Sequence, residues 1–264
     1  MKACLTVLFF AGLAGPAWAD LSGDVIFLGE QHDNPAHHQR QAEWVERIGP
    51  TALVFEMLTD VQADQVTPSV RRDMAKLEAT LDWEAGGWPD FDWYYPIFAA
   101  APAAAVYGAN VPREVARDVM GSALAEVFGP DAVTYGLTED LPEDEQEQRE
   151  ALQLAAHCDA LPAEMLPVMV QIQRLRDASL ARAALRAYRE TGGPVVVITG
   201  NGHARTDWGA PFLLHRAAPD LVIAALGQSE IGSGPPEGLF DVIAWSEPVQ
   251  RDDPCEAFLQ QRGN

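Results

Sequence analysis

Six short apolar runs recur along the chain, at residues 25–28, 52–55, 104–107, 195–199, 221–226 and 240–245, and helical periodicity fills most of the intervals between them. Runs of consecutive β-branched, aliphatic or aromatic residues bounded by turn formers mark strands buried on both faces. Strands that alternate with helices predict an α/β fold, a mostly parallel sheet covered by helices. The best-marked helix follows the first run. Asn34 is placed to cap it, Pro35 takes its first position, and Trp44, Val45 and Ile48 form an apolar stripe. His37 and Gln41 continue that stripe back toward the carboxyl edge of the sheet.

The interval between the third and fourth runs is far longer than one crossover requires and carries helical patterns only, which predicts a helical insertion over about residues 113–190, before the fourth strand and lying over the site. Within it, residues 137–150 are strongly acidic. Residues 161–190 read as one or two long helices bearing Arg174, Arg176, Arg182, Arg186 and Arg189, most of them on a solvated face, as in an Arg186–Glu190 pair. Earlier, Trp83–Phe98 concentrates aromatics between glycines and prolines, so a loop and a short helical turn are expected there. Such a segment serves either as a wall for a large flat ligand or as packing for the insertion.

Charge and the first residues narrow the class. With 18 Lys and Arg against 39 Asp and Glu, the formal charge is -21, which argues against nucleic acid and anionic membrane surfaces as partners. Lys2, the apolar run from Leu5 to Leu13 and the small-x-small site Ala17-Trp18-Ala19 predict a signal peptide over residues 1–19 and a periplasmic or secreted product. Residues 20–264 then suit a single α/β domain. No later stretch reaches the roughly 20 apolar residues of a membrane helix. Cys4 lies inside the leader, so no lipidated cysteine is evident at the cleavage point. Cys158 and Cys255 remain, as a disulfide or as two buried thiols.

The candidate chemistry sits at strand ends. Gly-x-x-His occurs twice, as Gly29-Glu30-Gln31-His32 and Gly200-Asn201-Gly202-His203, each directly after an apolar run. Ligand sites of open parallel sheets lie beyond the carboxyl ends of the strands, so His32 and His203 are expected to be neighbours in space. The second run adds Glu56. Two imidazoles and two carboxylates, His32, His203, Glu30 and Glu56, suit a divalent metal such as zinc, manganese or iron. Glu30 or Glu56 would then serve as general base of a metal-dependent hydrolase. The competing structural reading has the imidazoles bonded to carbonyls and the glutamates paired with Arg113 or Arg205. Phosphate-loop, His-Glu-x-x-His and Gly-x-Ser-x-Gly motifs are absent from the sequence.

Three stretches, Leu28–Gln39, Gly108–Arg113 and Val197–Arg205, together with Arg176–Ala181 in the long helical segment, resemble the ChaN family within the Tiki, TraB and EreA superfamily. The resemblance implies an exported α/β protein of haem binding and iron uptake. The wider superfamily implies the alternative, a metal-dependent peptidase- or esterase-like hydrolase using His32, His203, Glu30 and Glu56. A haem site needs an apolar slot, an axial Tyr, His or Met, and partners for the propionates. Tyr94 and Tyr95 are the axial candidates, and His37, His38, Arg113 and the helix arginines are the propionate candidates. Haem held at the surface would favour a homodimer that covers its exposed face.

Overall fold

The computed structural model describes residues 21–252 and Cys255; the leader expected over residues 1–19 lies outside the described residues. Six strands form one parallel sheet: β1 (Val25–Glu30), β2 (Ala52–Phe55), β3 (Ala105–Gly108), β4 (Val195–Gly200), β5 (Ile223–Glu230) and β6 (Val242–Ser246). Their order is β3-β2-β4-β1-β5-β6. Each strand falls on one of the six apolar runs.

Helix α1 (Pro35–Ile48) joins β1 to β2. The β2–β3 connection holds α2 (Asp60–Asp64), α3 (Pro68–Arg71), α4 (Met74–Leu81), α5 (Trp83–Gly86) and α6 (Phe91–Ala100). The β3–β4 connection holds α7 (Arg113–Asp118), α8 (Leu124–Phe128), α9 (Glu143–Ala156) and α10 (Leu166–Thr191); α11 (Asn201–Ala204) and α12 (Ala210–Ala217) follow β4.

All six residues of β1 and of β4 are buried, as unbroken apolar runs require. Successive side chains point to opposite faces, so each strand feeds two cores. Val25, Phe27, Val195 and Val197 pack beneath α10 and α12, whereas Ile26, Leu28, Val196 and Ile198 pack beneath α1 and α6. Each large aliphatic or aromatic side chain fully buried in this way contributes about 1.5–3 kcal/mol.

Helix α1 starts as its sequence demands: the Asn34 side chain accepts the Ala36 N–H at 3.0 Å, Pro35 opens the first turn, and Gly49 closes the helix in the left-handed region at φ 58°. The aromatic segment differs from expectation. It forms α5 and then a ten-residue helix, α6, with Pro96 inside it. Phe91, Tyr94, Ile97 and Phe98 recur at helical spacing and are buried against α1 and the sheet, with Phe98 stacked on Phe55 at 4.2 Å between ring centroids. Tertiary packing of this face outweighs the hydrogen bond that proline removes.

The long β3–β4 connection is helical. Its 26-residue α10 is itself the crossover and lies across one sheet face, where Ala178, Ala181, Ala184 and Ala187 let the backbones approach. Arg186 does not pair with Glu190; it reaches Asp60 instead, at 2.6 and 3.2 Å. Cys158, in the turn after α9, is disulfide-bonded to Cys255, 97 residues later. Among the described residues no helix is long and apolar enough to cross a membrane.

Candidate functional site

The chain leaves β1 through α1 on one sheet face and leaves β4 through α11 and α12 on the other, so the neighbouring carboxyl ends of β1 and β4 form a switch-point crevice. Both Gly-x-x-His motifs open into it, and they interlock. A Cβ on Gly29 would lie 2.5 Å from Asn201 Oδ1, and a Cβ on Gly200 would lie 3.1 Å from His32 Nε2. The first glycine of each motif therefore makes room for a side chain of the other.

Glu30 is the hub of the β1 side. Its Oε1 accepts from His32 Nδ1 at 2.6 Å and from the Tyr94 hydroxyl at 2.7 Å, and its Oε2 lies 3.2 Å from His38 Nδ1. Burial by itself would raise the Glu30 pKa, but His32 and His38 hold the carboxyl well below the usual carboxylate range. Burial opposes charge on His32 too, yet the bond to Glu30 and the nearby Glu56 raise that imidazole to about 9. The His32 side chain is 37% exposed, and among the described residues its Nε2 has no hydrogen-bond partner. The Trp88 ring lies edge-on to it, 5.3 Å away.

On the β4 side, Glu56 Oε2 accepts from the Thr199 hydroxyl at 2.6 Å and the Gly200 N–H at 2.8 Å, which leaves Oε1 facing His203 Nε2 at 3.6 Å. The opposite ring nitrogen, His203 Nδ1, lies 2.6 Å from Oδ1 of fully buried Asp177 on α10. Burial alone would lower the His203 pKa, and the two flanking carboxylates raise it above the ordinary value. The same two-sided arrangement keeps Glu56 ionised: burial would raise its pKa, and the His203 and His32 imidazoles lower it.

The expected four-residue metal set is not formed. Among the described residues no group of three or more His, Cys, Asp or Glu side chains is arranged to hold a metal ion. Glu30 directs its oxygens to Tyr94, His32 and His38, and Glu56 Oε2 is occupied by Thr199 and Gly200. The structural reading of those glutamates fails as well, because Arg205 pairs with Asp207 and Arg113 is exposed at the start of α7.

Three of the proposed haem contacts are enclosed: Tyr94, His37 and His38 are each 0% exposed. Tyr94 donates to Glu30, and burial, with the Glu30 charge, pushes its phenol far above the ordinary value, so it is ill suited to supply a phenolate ligand. His37 Nδ1 accepts the Gln31 N–H at 3.0 Å and its Nε2 lies 3.2 Å from Ser246 Oγ; burial and the neighbouring His38 lower it to about 4. His38 Nε2 donates to the His32 carbonyl at 2.8 Å. Tyr95 is half-buried against Phe91.

Two cavities meet at the imidazoles. One of about 470 Å³ is lined by His32, His203, Arg149, Gln173, Arg205 and Trp208 among others. The other, about 290 Å³, is bordered by His32, Glu56, His203, Trp88, Asn110 and Arg176. The indole of Trp208 lies against two guanidinium groups, Arg205 at 3.7 Å and Arg149 at 4.9 Å from its centroid. Sequence reasoning did not single out Asp177, Gln173, Arg149 or Trp208 for the site. Asp177 stood inside the Arg176–Ala181 stretch, but only the fold brings α10 against β4.

The family model described as "Haem-binding uptake, Tiki superfamily, ChaN" matches residues 18–214. No curated protein sequence matches the chain. Among solved structures, that of cofacial heme binding to ChaN of Campylobacter jejuni is similar at 18% identity, covering 78% of this chain and 82% of that one with a TM-score of 0.58. The type III effector HopBA1 follows at 13% identity, 86% and 88% coverage and a TM-score of 0.46.

Proposed function

The chain belongs to the ChaN family of haem-binding uptake proteins in the Tiki superfamily, and from that premise we propose that it takes haem as cargo in the groove beyond β1 and β4, with His32 as the axial ligand. The observation that carries this reading is the His32 ring. Its Nδ1 is fixed by buried Glu30 at 2.6 Å, the residue lines the groove, and Nε2 has no partner among the described residues; because, against the effect of burial, Glu30 and Glu56 raise the imidazole to about 9, iron binding would displace the Nε2 proton. Imidazoles that bind metal commonly donate their other ring N–H to a carboxylate, which orients the ring and raises its basicity. A groove of about 470 Å³ lies within the usual range for cofactor sites. Trp208 lines it with the Arg205 and Arg149 guanidiniums stacked on its indole; Arg205 is paired with Asp207 and Arg149 with Glu145, so propionates would share those cations.

The pattern of residues 1–19 supports capture outside the cytoplasm, in haem or iron uptake or handling. Because His32 stands at a partly open wall, a homodimer would cover the exposed face of the haem, in keeping with the cofacial binding named for the Campylobacter jejuni protein. The test is a haem titration of residues 20–264 followed by Soret absorbance, against an unrelated acidic protein. Saturation at one haem per chain or per two chains is expected, with His32→Ala about tenfold weaker or worse and shifted in Soret position, and Tyr95→Phe unchanged. Wild-type affinity and spectrum in His32→Ala would overturn the ligand assignment. A response equal to the control would overturn haem carriage.

The chain Asp177–His203–Glu56 favours a second reading, acid–base hydrolysis at the smaller cavity. An ionised Glu56 beside a protonated His203 is a base next to an acid, two groups whose environments push their pKa values apart. Hydrolysis of ester or peptide substrates that is lost in Glu56→Gln and unaffected by chelators would support it; turnover no faster than buffer would remove it.

A further inference from the structure

A third cavity lies apart from the groove proposed for haem. It measures about 580 Å³, lies between α10, α8 and the end of β3, shares no residue with the groove at Trp208, and borders the smaller cavity through Ala109, Asn110 and Val111. Its walls combine an apolar lining, including Phe128, Val127 and Leu175, with three guanidiniums from successive turns of α10: Arg182, Arg186 and Arg189. Two hydroxyls line it as well. The Tyr135 and Ser179 residues are 3% and 9% exposed, and neither hydroxyl is among the buried polar atoms left without a partner, so both oxygens open to the cavity, where an acceptor could replace water.

The arginines differ in what they have left to offer. Arg186 is consumed by Asp60, which it grips with two N–H groups. Arg182 rests its guanidinium 4.0 Å from the Phe128 ring centroid and spends one N–H on the Phe128 carbonyl at 3.1 Å, leaving others of its five donors. Arg189 is exposed at the rim, with no ion pair among the described residues. Three carboxylates, Asp60, Asp131 and Glu190, also line the cavity, so its formal charges balance. That balance disfavours a polyanion such as phosphate. An apolar enclosure, free guanidinium donors and two hydroxyls match a single carboxylate on an apolar body.

We infer that this cavity is a second binding site, for an amphipathic monocarboxylate whose head group meets Arg182, Tyr135 and Ser179, with Arg189 at the entrance. The probe is 11-(dansylamino)undecanoic acid, followed by its fluorescence, with its methyl ester as the neutral control. Saturable binding to the full protein is expected, with the ester and Arg182→Gln each about tenfold weaker, Tyr135→Phe and Arg189→Gln weakened severalfold, and His32→Ala unchanged. Should Arg182→Gln fail to fold because its stack on Phe128 is lost, exposed Arg189 and Tyr135→Phe still decide the matter. Equal binding of acid and ester, wild-type affinity in both Tyr135→Phe and Arg189→Gln, or displacement of the probe by inorganic phosphate as readily as by decanoate would overturn the assignment. Loss of binding in His32→Ala would also overturn it, by placing the probe in the strand-end groove.

Discussion

Glu30 decides what its neighbours can do. A carboxylate sealed from water must collect donors, and it does so from Tyr94 and His32, with His38 against its other oxygen. Tyr94→Phe removes one donor and leaves the rest in place, so urea unfolding should show a loss of about 1–3 kcal/mol. The Soret position of haem-loaded protein should move as well, because His32 loses a competitor for Glu30 Oε1. His37 governs the acid side. Its folded value of about 4 lies below the ordinary 6.5, so on acidification the unfolded chain takes up the proton first. The stability it contributes is complete above about 6.5 and is lost as pH falls toward 4. Comparing melting at pH 7 and pH 5, the drop in wild type should exceed the drop in His37→Gln, whose amide can replace the two hydrogen bonds without titrating. The histidines and glutamates of the site were legible in sequence because each follows an apolar strand directly. Which of them are sealed was not, since Tyr94 and His38 are buried where α6 closes over α1, and His37 against the ends of β5 and β6.

At the scale of elements, the two motifs hold each other apart by the width of a methyl group. Gly29→Ala would press a Cβ to within 2.8 Å of the Leu226 carbonyl and 2.5 Å of Asn201 Oδ1, a clash with backbone on one side; Gly200→Ala meets a side chain, the His32 ring, at 3.1 Å. Gly29→Ala is therefore expected to destabilise by about 1–3 kcal/mol in denaturant unfolding, with Gly200→Ala costing less but weakening haem binding. The strands were readable to within a few residues, and so was α1 with its cap. The aromatic helix α6 was not, because Pro96 and the flanking glycines are local signals, whereas the packing that overrides them is tertiary. The pairing of Cys158 with Cys255 depended on geometry that spacing does not supply. Reduction or Cys158→Ser should lower stability by about 2–5 kcal/mol, measured with and without reductant, and a disulfide-free wild type with unchanged stability would refute it.

For the whole molecule, one sheet serves two cores, and alternate residues of β1 and β4 belong to opposite ones. Neither core can melt without stripping side chains from the strands that the other needs. Calorimetry should therefore give a single transition, and two resolved transitions would contradict that coupling. The α/β class was legible because alternation of strands and helices is a property of the whole chain, but strand order was not, since the apolar runs differ little from one another. That order has a consequence for how the protein is made. The first strand to leave the ribosome, β1, ends up between β4 and β5, which are drawn from residues 195–230. Until those residues emerge, this fully buried strand has no edge to join, and a message truncated before the fourth strand yields a polypeptide whose opening strand stays unpartnered. Such a product is a natural client for holding chaperones and a poor candidate for function as a fragment.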